Sequence, residues 1–568
     1  MNRPWLNFYE PGVPETISYP SVPLFHLLRE SAARRPDHPA LLFYGKETSY
    51  RTLSEQVHQC ARALLGMGLR KGDRVAIMLP NVPQCVIAYY GVLAAGGVVV
   101  MTNPLYVEHE LQVQMRDSGA KIIIALDFLY PKIEKIKADT ALSAIILTSV
   151  KDELPWLLGL FYPLKARREG QWMPVPKTQG VYDLLEVMAG YATTPPVIEA
   201  IATDDLALLQ YTGGTTGTPK GVMLSHRNLV ANTLQCRHWM PTLTEQDIFL
   251  AVIPFFHVYG MSSCMNLALY LGATLVLLPR FTTKDVLHTI QKTKATIFMG
   301  VQAMYVAVNN FSKIKHYDLS SISVCISGAG PLHAEVQRRF EALTGGKLVE
   351  GYGLSEAAPV THANPINPIN GCRKVGSIGL PLSDTLARIV NESGHDVAQG
   401  EAGELIVAGP QVMSGYWEKP DESDAVLRDG WLFTGDMARM DAEGYFFIVD
   451  RKKDMIKTRG ENVYPREVEE VLYRHPKVKE AVVVGLPDLR MGEIIKAYLV
   501  LKEGETATEA EIVKFCREEM THFKVPQRIA FRDALPKTII GKVLRRVLLE
   551  EETVKASPDS RVAETGKG

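Results

Sequence analysis

The chain has 568 residues, of which 46% are apolar and 22% charged, and a formal net charge of −1. That is the balance of a water-soluble globular protein with material for three or four folding units, and it excludes any general pull toward nucleic acid or acidic lipid. Its seven cysteines are odd in number and scattered, with no CxxC; this argues against a disulfide framework or a zinc site and fits reduced thiols in the cytoplasm.

MNRPWLNFYEPGVPETISYP has no apolar core, so no signal peptide is predicted there. Val75 to Val107 carries no charge and invites a membrane-span reading, but Pro80, Pro83, Gly96, Gly97 and Pro104 interrupt it. Strand (VAIML), buried helix to about Ala95 and strand (VVVM) is the better expectation. LPWLLGLFYPLKARR (154–168) gathers aromatics and leucines beside Lys151, Lys165, Arg167 and Arg168. Its simpler reading is a packed helix with a basic end; the alternative is a monotopic membrane contact.

Short apolar runs then alternate with helix-length segments: LALLQY (206–211), TLVLLP (274–279), TIFMGV (296–301) and SVCISG (323–328). Buried strands separated by helices predict an α/β architecture with largely parallel sheets. YTGGTTGTPKG (211–221) follows the first of these runs. It is not a Walker A loop, because Pro219 precedes Lys220 and Gly221 follows it. Its glycines still let backbone N–H groups approach anionic oxygens, its threonines add donors and Lys220 adds charge. Ser225 is placed to cap the next helix. EGYGLSE (350–356) combines a ring, Tyr352, with a hydroxyl and a carboxylate, Glu356, suited to Mg²⁺.

Near residue 375 the texture becomes short β segments punctuated by glycine and aspartate: GELIVAGP, GWLFTGD and GYFFIVDRKKD. These predict an antiparallel, barrel-like unit. After Asp450, YPREVEEVLYRHP reads as a helix with Pro465 first and Val468, Val471 and Leu472 on one face. AVVVGL (481–486) and KAYLVLK (496–502) read as strands, and Thr508 with Glu511 as a capping box. LPKTIIGKVLRR (535–546) presents Lys542 after a glycine turn, and the polar tail from Glu551 is expected to fray.

In this order, YTGGTTGTPKG, PFFHVYG (254–260), GYGLSE, TGD, the DRKKD junction and PKTIIGK make the chain resemble the adenylate-forming enzymes: acyl-CoA synthetases, firefly luciferase and the adenylation domains of peptide synthetases. The resemblance runs from about residue 20 to 550. QYTGGTTG, IPFFHVYG, EGYGLSEAAPVTHAN and NVYPREVEE look like the branch of bacterial long-chain fatty-acid–CoA ligases. It implies an N-terminal domain over 1–450, made of two α/β subdomains and a distorted β-barrel. A small mobile α+β domain over 451–550 and a polar tail over 551–568 would follow.

The reaction so implied makes acyl-AMP and pyrophosphate from an acid and ATP with Mg²⁺, then acyl-CoA and AMP. Alternatives within the family are a CoA ligase for medium-chain or aryl acids, and acyl-AMP transfer to a carrier-protein thiol. By motif match, Thr212, Gly213, Gly214, Thr215, Thr216, Gly217 and Lys220 would hold the β- and γ-phosphates. Tyr352 would stack on adenine beside Gly328, Gly330 and Pro331, within the GYG of Gly351 and Gly353. Ser355 would touch phosphate, Glu356 and Thr216 would hold Mg²⁺, and Asp436 and Arg451 would bind ribose. Lys542 would bridge the attacking carboxylate and the α-phosphate. Lys453 would be the hinge for rotation of the small domain, whose other face offers Lys457, Arg459 and Gly460 to CoA. His257, Tyr259 and Gly353 would line the acyl site, although His257 alone reads as a core histidine. Ile540 and Met261 depart from residues common in the family, and Glu461 is an unassigned acid beside Gly460. The 154–168 segment is not covered by the shared motifs; in its alternative reading it would take fatty acids from a bilayer at the inner face of the membrane, and a homodimer is a further expectation for this cytoplasmic protein.

Overall fold

The computed structural model describes residues 3–171, 173–176, 178–197, 200–212, 219–369, 373–451, 454–458, 461–488, 490–537 and 543–556. They fall into two compact units. The larger holds Met1–Ala387 and Val407–Leu432, and the smaller holds Arg388–Ile406 and Phe433–Gly568.

Two sheets form the larger unit. One has seven strands in the order Val181–Asp183, Ala144–Thr148, Ile122–Leu126, Arg74–Met78, Val98–Met101, Leu206–Thr212, Lys220–Ser225. All its neighbours are parallel except the last pair, an antiparallel hairpin with Thr212 opposite Lys220. The uncharged stretch from Val75 folds as expected: strand, helix Pro83–Ala94, strand Val98–Met101. Every residue of that helix is buried, so it needs no polar face. Among the described residues no helix is long and apolar enough to cross a membrane.

The second sheet has nine strands, ordered Leu380–Pro381, Val360–Ala363, Lys347–Gly353, Val324–Ser327, Ile297–Gly300, Ile248–Ala251, Thr274–Leu277, Pro39–Phe43, Lys46–Ser49. Its six central strands are parallel, and the apolar runs 274–277, 297–300 and 324–327 are buried throughout. Ile248–Ala251 lies between the two strands that follow it in sequence. The order reverses there, and in parallel α/β sheets such a point opens a crevice beyond the carboxyl ends of the strands.

The smaller unit begins with short antiparallel strands, among them Trp431–Met440 against Phe446–Arg451. Its remainder is α+β. Val478–Asp488 and Gly492–Leu501 form a long hairpin, flanked by strands Ile456–Thr458 and Arg528–Phe531. Alternate hairpin residues serve two cores: Ala481, Val483 and Ile495 pack with Val468 and Leu472, while Val482, Val484 and Ile494 pack with Leu548.

Three local expectations change. Thr508 Oγ1 accepts from the Glu511 N–H at 3.2 Å, but the Glu511 carboxylate meets Lys477 at 2.8 Å, so Thr508 caps the helix while Glu511 is engaged elsewhere. The chain beyond Glu551 does not fray at once. The helix Arg545–Ala556 carries through it because Glu551 pairs with Arg532 and Glu552 with Lys496. The 154–168 segment also departs from the simpler reading: it is a helix, Trp156–Arg168, with Trp156, Leu157, Leu158, Leu160, Phe161 and Leu164 exposed.

Candidate active site

Three of the sequence motifs converge at one edge of the nine-stranded sheet. Gly300, Ser327 and Glu350 lie side by side in register. Beyond them the chain leaves the sheet as the 328–331 turn and the GYGLSE segment, while PFFHVYG leaves the neighbouring strand Ile248–Ala251. The sequence folds this way because polar side chains hold each turn. Glu350, buried, accepts from the Leu332 N–H at 3.0 Å and so fixes the Gly330–Pro331 turn, whose Ala329 and Gly330 are exposed. Asn81 donates to the carbonyls of Ala251 and Ile253 and accepts from the Phe255 N–H at 2.9 Å, so PFFHVYG is pinned at three points. Gln210 adds a fourth, donating to the Phe256 carbonyl at 2.9 Å. None of Glu350, Asn81 and Gln210 stands out in the sequence, because a polar residue in an apolar run says nothing about its distant partner.

Close backbone approach dictates two glycines. A Cβ on Gly260 would sit 2.5 Å from the Pro254 carbonyl oxygen, and one on Gly353 would sit 2.1 Å from that of Pro359. Gly353 therefore has a backbone reason to be glycine whatever lines the acyl site. Tyr259 opens the π-helical turn Tyr259–Asn266 and donates to the Ile326 carbonyl at 2.9 Å, its ring covering Gly328, where a Cβ would lie 3.0 Å from it. Burial drives its pKa far up, so the hydroxyl stays a neutral donor. His257 is half-buried beside Phe256, ring centroids 5.8 Å apart. Gly351 lies in the strand, and Tyr352 presents a half-buried ring edge-on to buried His362, 5.9 Å between centroids.

Ser355, Glu356 and Ala357 form one 3-10 turn after that strand. Glu356 Oε1 accepts from the Tyr416 hydroxyl at 2.8 Å. The same Tyr416 ring lies under the Lys220 ammonium, 5.0 Å from its centroid, and Lys220 pairs with Glu422. Burial and the adjacent carboxylate raise the Tyr416 pKa well beyond the ordinary phenol, which keeps it a donor. Tyr416 thus joins Lys220 to Glu356, two residues 136 apart in sequence; the only hint of it is an aromatic pair, Tyr416–Trp417, after a glycine. Trp417 donates to the Asp117 carbonyl, and the Tyr211 hydroxyl donates to the Asp117 carboxylate at 2.6 Å, bracing the base of the Thr212–Lys220 hairpin. The antiparallel pairing of Thr212 with Lys220 is a different device from the strand–loop–helix of a Walker A site. Gly213, Gly214, Thr215, Thr216 and Gly217 lie outside the described residues, and Ser225 caps the helix His226–Trp239 as expected.

In the smaller unit Asp436 and Arg451 stand opposite each other on paired strands, Arg451 Nε 3.5 Å from Asp436 Oδ1. Lys457 is exposed in the strand Ile456–Thr458. Lys453, Arg459, Gly460, Ile540 and Lys542 lie outside the described residues. What sequence reading missed here is Arg545, which approaches Glu469 at 2.7 Å, Asp454 at 3.3 Å and Asp450 at 3.7 Å. It ties the DRKKD segment to the helix that follows PKTIIGK. Burial, only partly offset by Arg545, pushes the Asp450 carboxyl up to about 6.

As a chemical assembly, the larger unit offers a ring, backbone turns, a carboxylate and an ammonium within one connected network, the complement of a nucleotide with charged phosphates. Residues 28–417 match the family of AMP-binding enzymes, and residues 467–542 match the AMP-binding enzyme C-terminal domain. The chain is 50% identical over 554 residues to the long-chain-fatty-acid–CoA ligase of Bacillus subtilis, covering 97% of this chain and 98% of the relative. Its structure is similar to the anthranilate CoA ligase AuaEII in complex with anthranoyl-AMP (TM-score 0.82, 27% identity, 94% of this chain and 97% of the other). It is equally similar to ATP-bound MatB from Rhodopseudomonas palustris (TM-score 0.82, 29% identity, 94% and 99%).

Proposed function

Because the chain belongs to the AMP-binding enzyme family, we propose that it is an AMP-forming ligase joining a long-chain fatty acid to CoA, with ATP, the acid and CoA as substrates. The observation that carries this reading is the Lys220–Tyr416–Glu356 network beside the Gly328–Pro331 turn and Tyr352; the 50% identity to a long-chain-fatty-acid–CoA ligase supports the choice of acid.

In the first half-reaction the acid carboxylate attacks the α-phosphorus of ATP, a P–O bond forms and the bond to pyrophosphate breaks. In the second, CoA thiolate attacks the acyl carbonyl and AMP leaves. Both steps crowd negative charge, so fixed cations and N–H donors supply most of the acceleration. Lys220 exchanges Glu422 for the β- and γ-phosphates, with Thr212 to Gly217 donating around them. Tyr352 and the Gly328–Pro331 turn take adenine, Ser355 touches phosphate, and Asp436 with Arg451 takes the ribose hydroxyls. His257, Tyr259 and Gly353 border the acyl carboxylate. Lys542 bridges the attacking oxygen and the α-phosphate, Lys453 is the hinge, and Lys457, Arg459 and Gly460 meet CoA. A single carboxylate suits Mg²⁺, which takes one or two carboxylates when phosphates supply other ligands. Glu356 with Thr216 would hold that ion, which when bound neutralises phosphate charge.

Cytoplasmic location, peripheral contact with the inner face of a membrane through residues 154–168, and a homodimer belong to the same reading. Acid-dependent AMP release with ATP, Mg²⁺ and CoA tests it, across acetate, octanoate, palmitate, oleate and a cinnamate. Turnover favouring palmitate and oleate is expected. Turnover confined to short or aromatic acids would move the substrate, and no AMP with any acid would sink the ligase. Lys542→Ala is expected to lose adenylation yet convert supplied acyl-AMP and CoA, and Lys453→Pro the reverse; loss of the same half-reaction in both would rule out domain alternation.

A further inference from the structure

We propose that the helix Trp156–Arg168 is an interfacial anchor that seats on a bilayer containing anionic lipid. The inference deepens the proposed function and rests on it for one point only, that a ligase for a long-chain acid gains by sitting where that acid partitions.

The helix is turned inside out. Leu157, Leu160, Phe161 and Leu164 follow the i, i+3, i+4, i+7 spacing of one helical face, and they are 51%, 65%, 61% and 62% exposed. Trp156 at the head of the helix is 76% exposed. The opposite face, Gly159, Tyr162 and Ala166, turns inward. Ala166 is 1% exposed, a Cβ on Gly159 would meet the Lys151 carbonyl oxygen at 3.4 Å, and burial pushes the Tyr162 hydroxyl up to about 12. Of the eighteen large apolar side chains exposed among the described residues, six lie between Trp156 and Leu164. Elsewhere they are scattered singly or in pairs, the ordinary condition of a protein surface.

Charge selects the occupant. From Trp156 to Arg168 there is no acidic residue, while Lys165, Arg167 and Arg168 crowd the last turn and Lys151 lies just before. Arg167, Arg168 and Lys151 are exposed. Of the neighbouring acids, Asp152 accepts from the Ser149 N–H at 2.8 Å and buried Glu153 pairs with Lys46 at 2.7 Å, which leaves Glu169 against four cations. A second copy of this helix would bring cations to cations. Its 13 residues span ~20 Å, an apolar footprint of roughly 200 Å², against the ~800 Å² per partner of a stable interface. Anionic headgroups answer the cations, and a helix with Trp, Leu and Phe on one side settles ~5–10 Å into the headgroup–acyl boundary.

The test sediments the full-length protein, without substrate, with vesicles of phosphatidylcholine alone or with about one third phosphatidylglycerol. The wild type is expected to sediment with the anionic vesicles. Trp156→Ser combined with Phe161→Ser should lower that partition on the order of tenfold or more. Arg167→Gln combined with Arg168→Gln should lower it about 30-fold, leaving the weak partition to phosphatidylcholine unchanged. All four side chains are exposed, so the variants should melt with the wild type; Trp156→Phe, which keeps an apolar ring, should bind yet lose quenching by bromine-labelled acyl chains. Wild type left in the supernatant, or an apolar double variant that sediments equally well, would overturn the anchor. So would a wild-type dimer in light scattering that this double variant dissolves without any vesicle binding. AMP release with palmitate delivered on albumin, measured without vesicles, reports the ligase separately: sedimentation without turnover keeps the anchor and loses the long-chain ligase, and turnover without sedimentation does the opposite.

Discussion

In the larger unit the candidate site is held by separate local contacts. Asn81, Gln210 and Glu350 grip backbone at the turns and Tyr259 and Tyr416 act as neutral donors; in the same unit the buried imidazoles of His226 and His362 are driven down to about 4 and about 3 by burial. In the smaller unit the corresponding work falls to charge, with Arg545 gathering buried Asp450 and the half-buried Asp454 and Glu469 into one cluster. The lesson is about what each can tolerate. Locally pinned turns keep a fixed geometry one contact at a time, whereas a charge cluster stores a penalty that appears as soon as one member is removed or changes protonation.

The largest effect expected from that contrast is in the smaller unit. Arg545→Ala leaves three carboxylates without their shared cation and should cost about 3–5 kcal/mol. Hydrogen exchange of the full chain would show it as loss of protection between Val478 and Leu501, with the larger unit unchanged; equal protection would mean the cluster is not what holds this unit.

Next, Glu356→Gln keeps the shape of the larger unit and removes its charge. It should lower acid-dependent pyrophosphate release about 10²–10³-fold with an unaltered melting temperature. Activity within a few-fold of wild type would remove Glu356 from the chemistry.

Two sets of buried groups should also answer pH with opposite signs. His226 and His362 are neutral when folded, and the unfolded chain takes up their protons below about pH 6.5. Their contribution is whole above that pH and is lost as the pH falls toward 4 and 3. Asp450 is the reverse. Its folded pKa, about 6, exceeds the 3.8 of the free side chain, so its contribution is whole below about pH 4 and is lost as the pH rises through 6, roughly 3 kcal/mol in full. Asp127 in the larger unit is likewise pushed up to about 6 by burial and opposes the histidines there, so the sign is read on the variant: Asp450→Asn should remove a loss of protection in the smaller unit as the pH rises from 4 to 7. An unchanged pH slope in that variant would refute the assignment.

The smallest effect is Tyr416→Phe. It keeps the ring under Lys220 and deletes one hydrogen bond to a carboxylate, worth about 1.5–3 kcal/mol, so adenylation should slow on the order of tenfold while Tyr416→Ala slows it further. Equal rates for the two variants would mean that the ring under Lys220 contributes nothing.

Local grammar makes much of this protein legible in its sequence. The apolar runs at 206, 274, 296 and 323 are strands because continuous β-branched and aliphatic residues suit burial on both faces, and Ser225 and Pro465 begin helices where capping chemistry says they should. The motifs that carry the family resemblance are local too, since phosphate and adenine are met by short glycine-rich and aromatic segments. The helix 156–168 shows where that grammar stops. Its first nine residues, 156–164, are uncharged like the fully buried helix 83–94, yet its large residues face outward, because burial depends on whether a neighbouring surface exists and not on the helix alone.

Sequence by itself therefore determined the strands, the caps and the identity of the chemical motifs, all of which are written in contiguous residues. Only the tertiary structure decided that Tyr416 joins Lys220 to Glu356, that Asn81 and Glu350 hold the turns, that Arg545 ties Asp450 to Glu469, and that six apolar side chains stay in the open. The physical reason is that a long-range partner is chosen by the packing of whole elements, and one chain of letters carries no record of which distant residue will complete a given hydrogen bond, ion pair or apolar face.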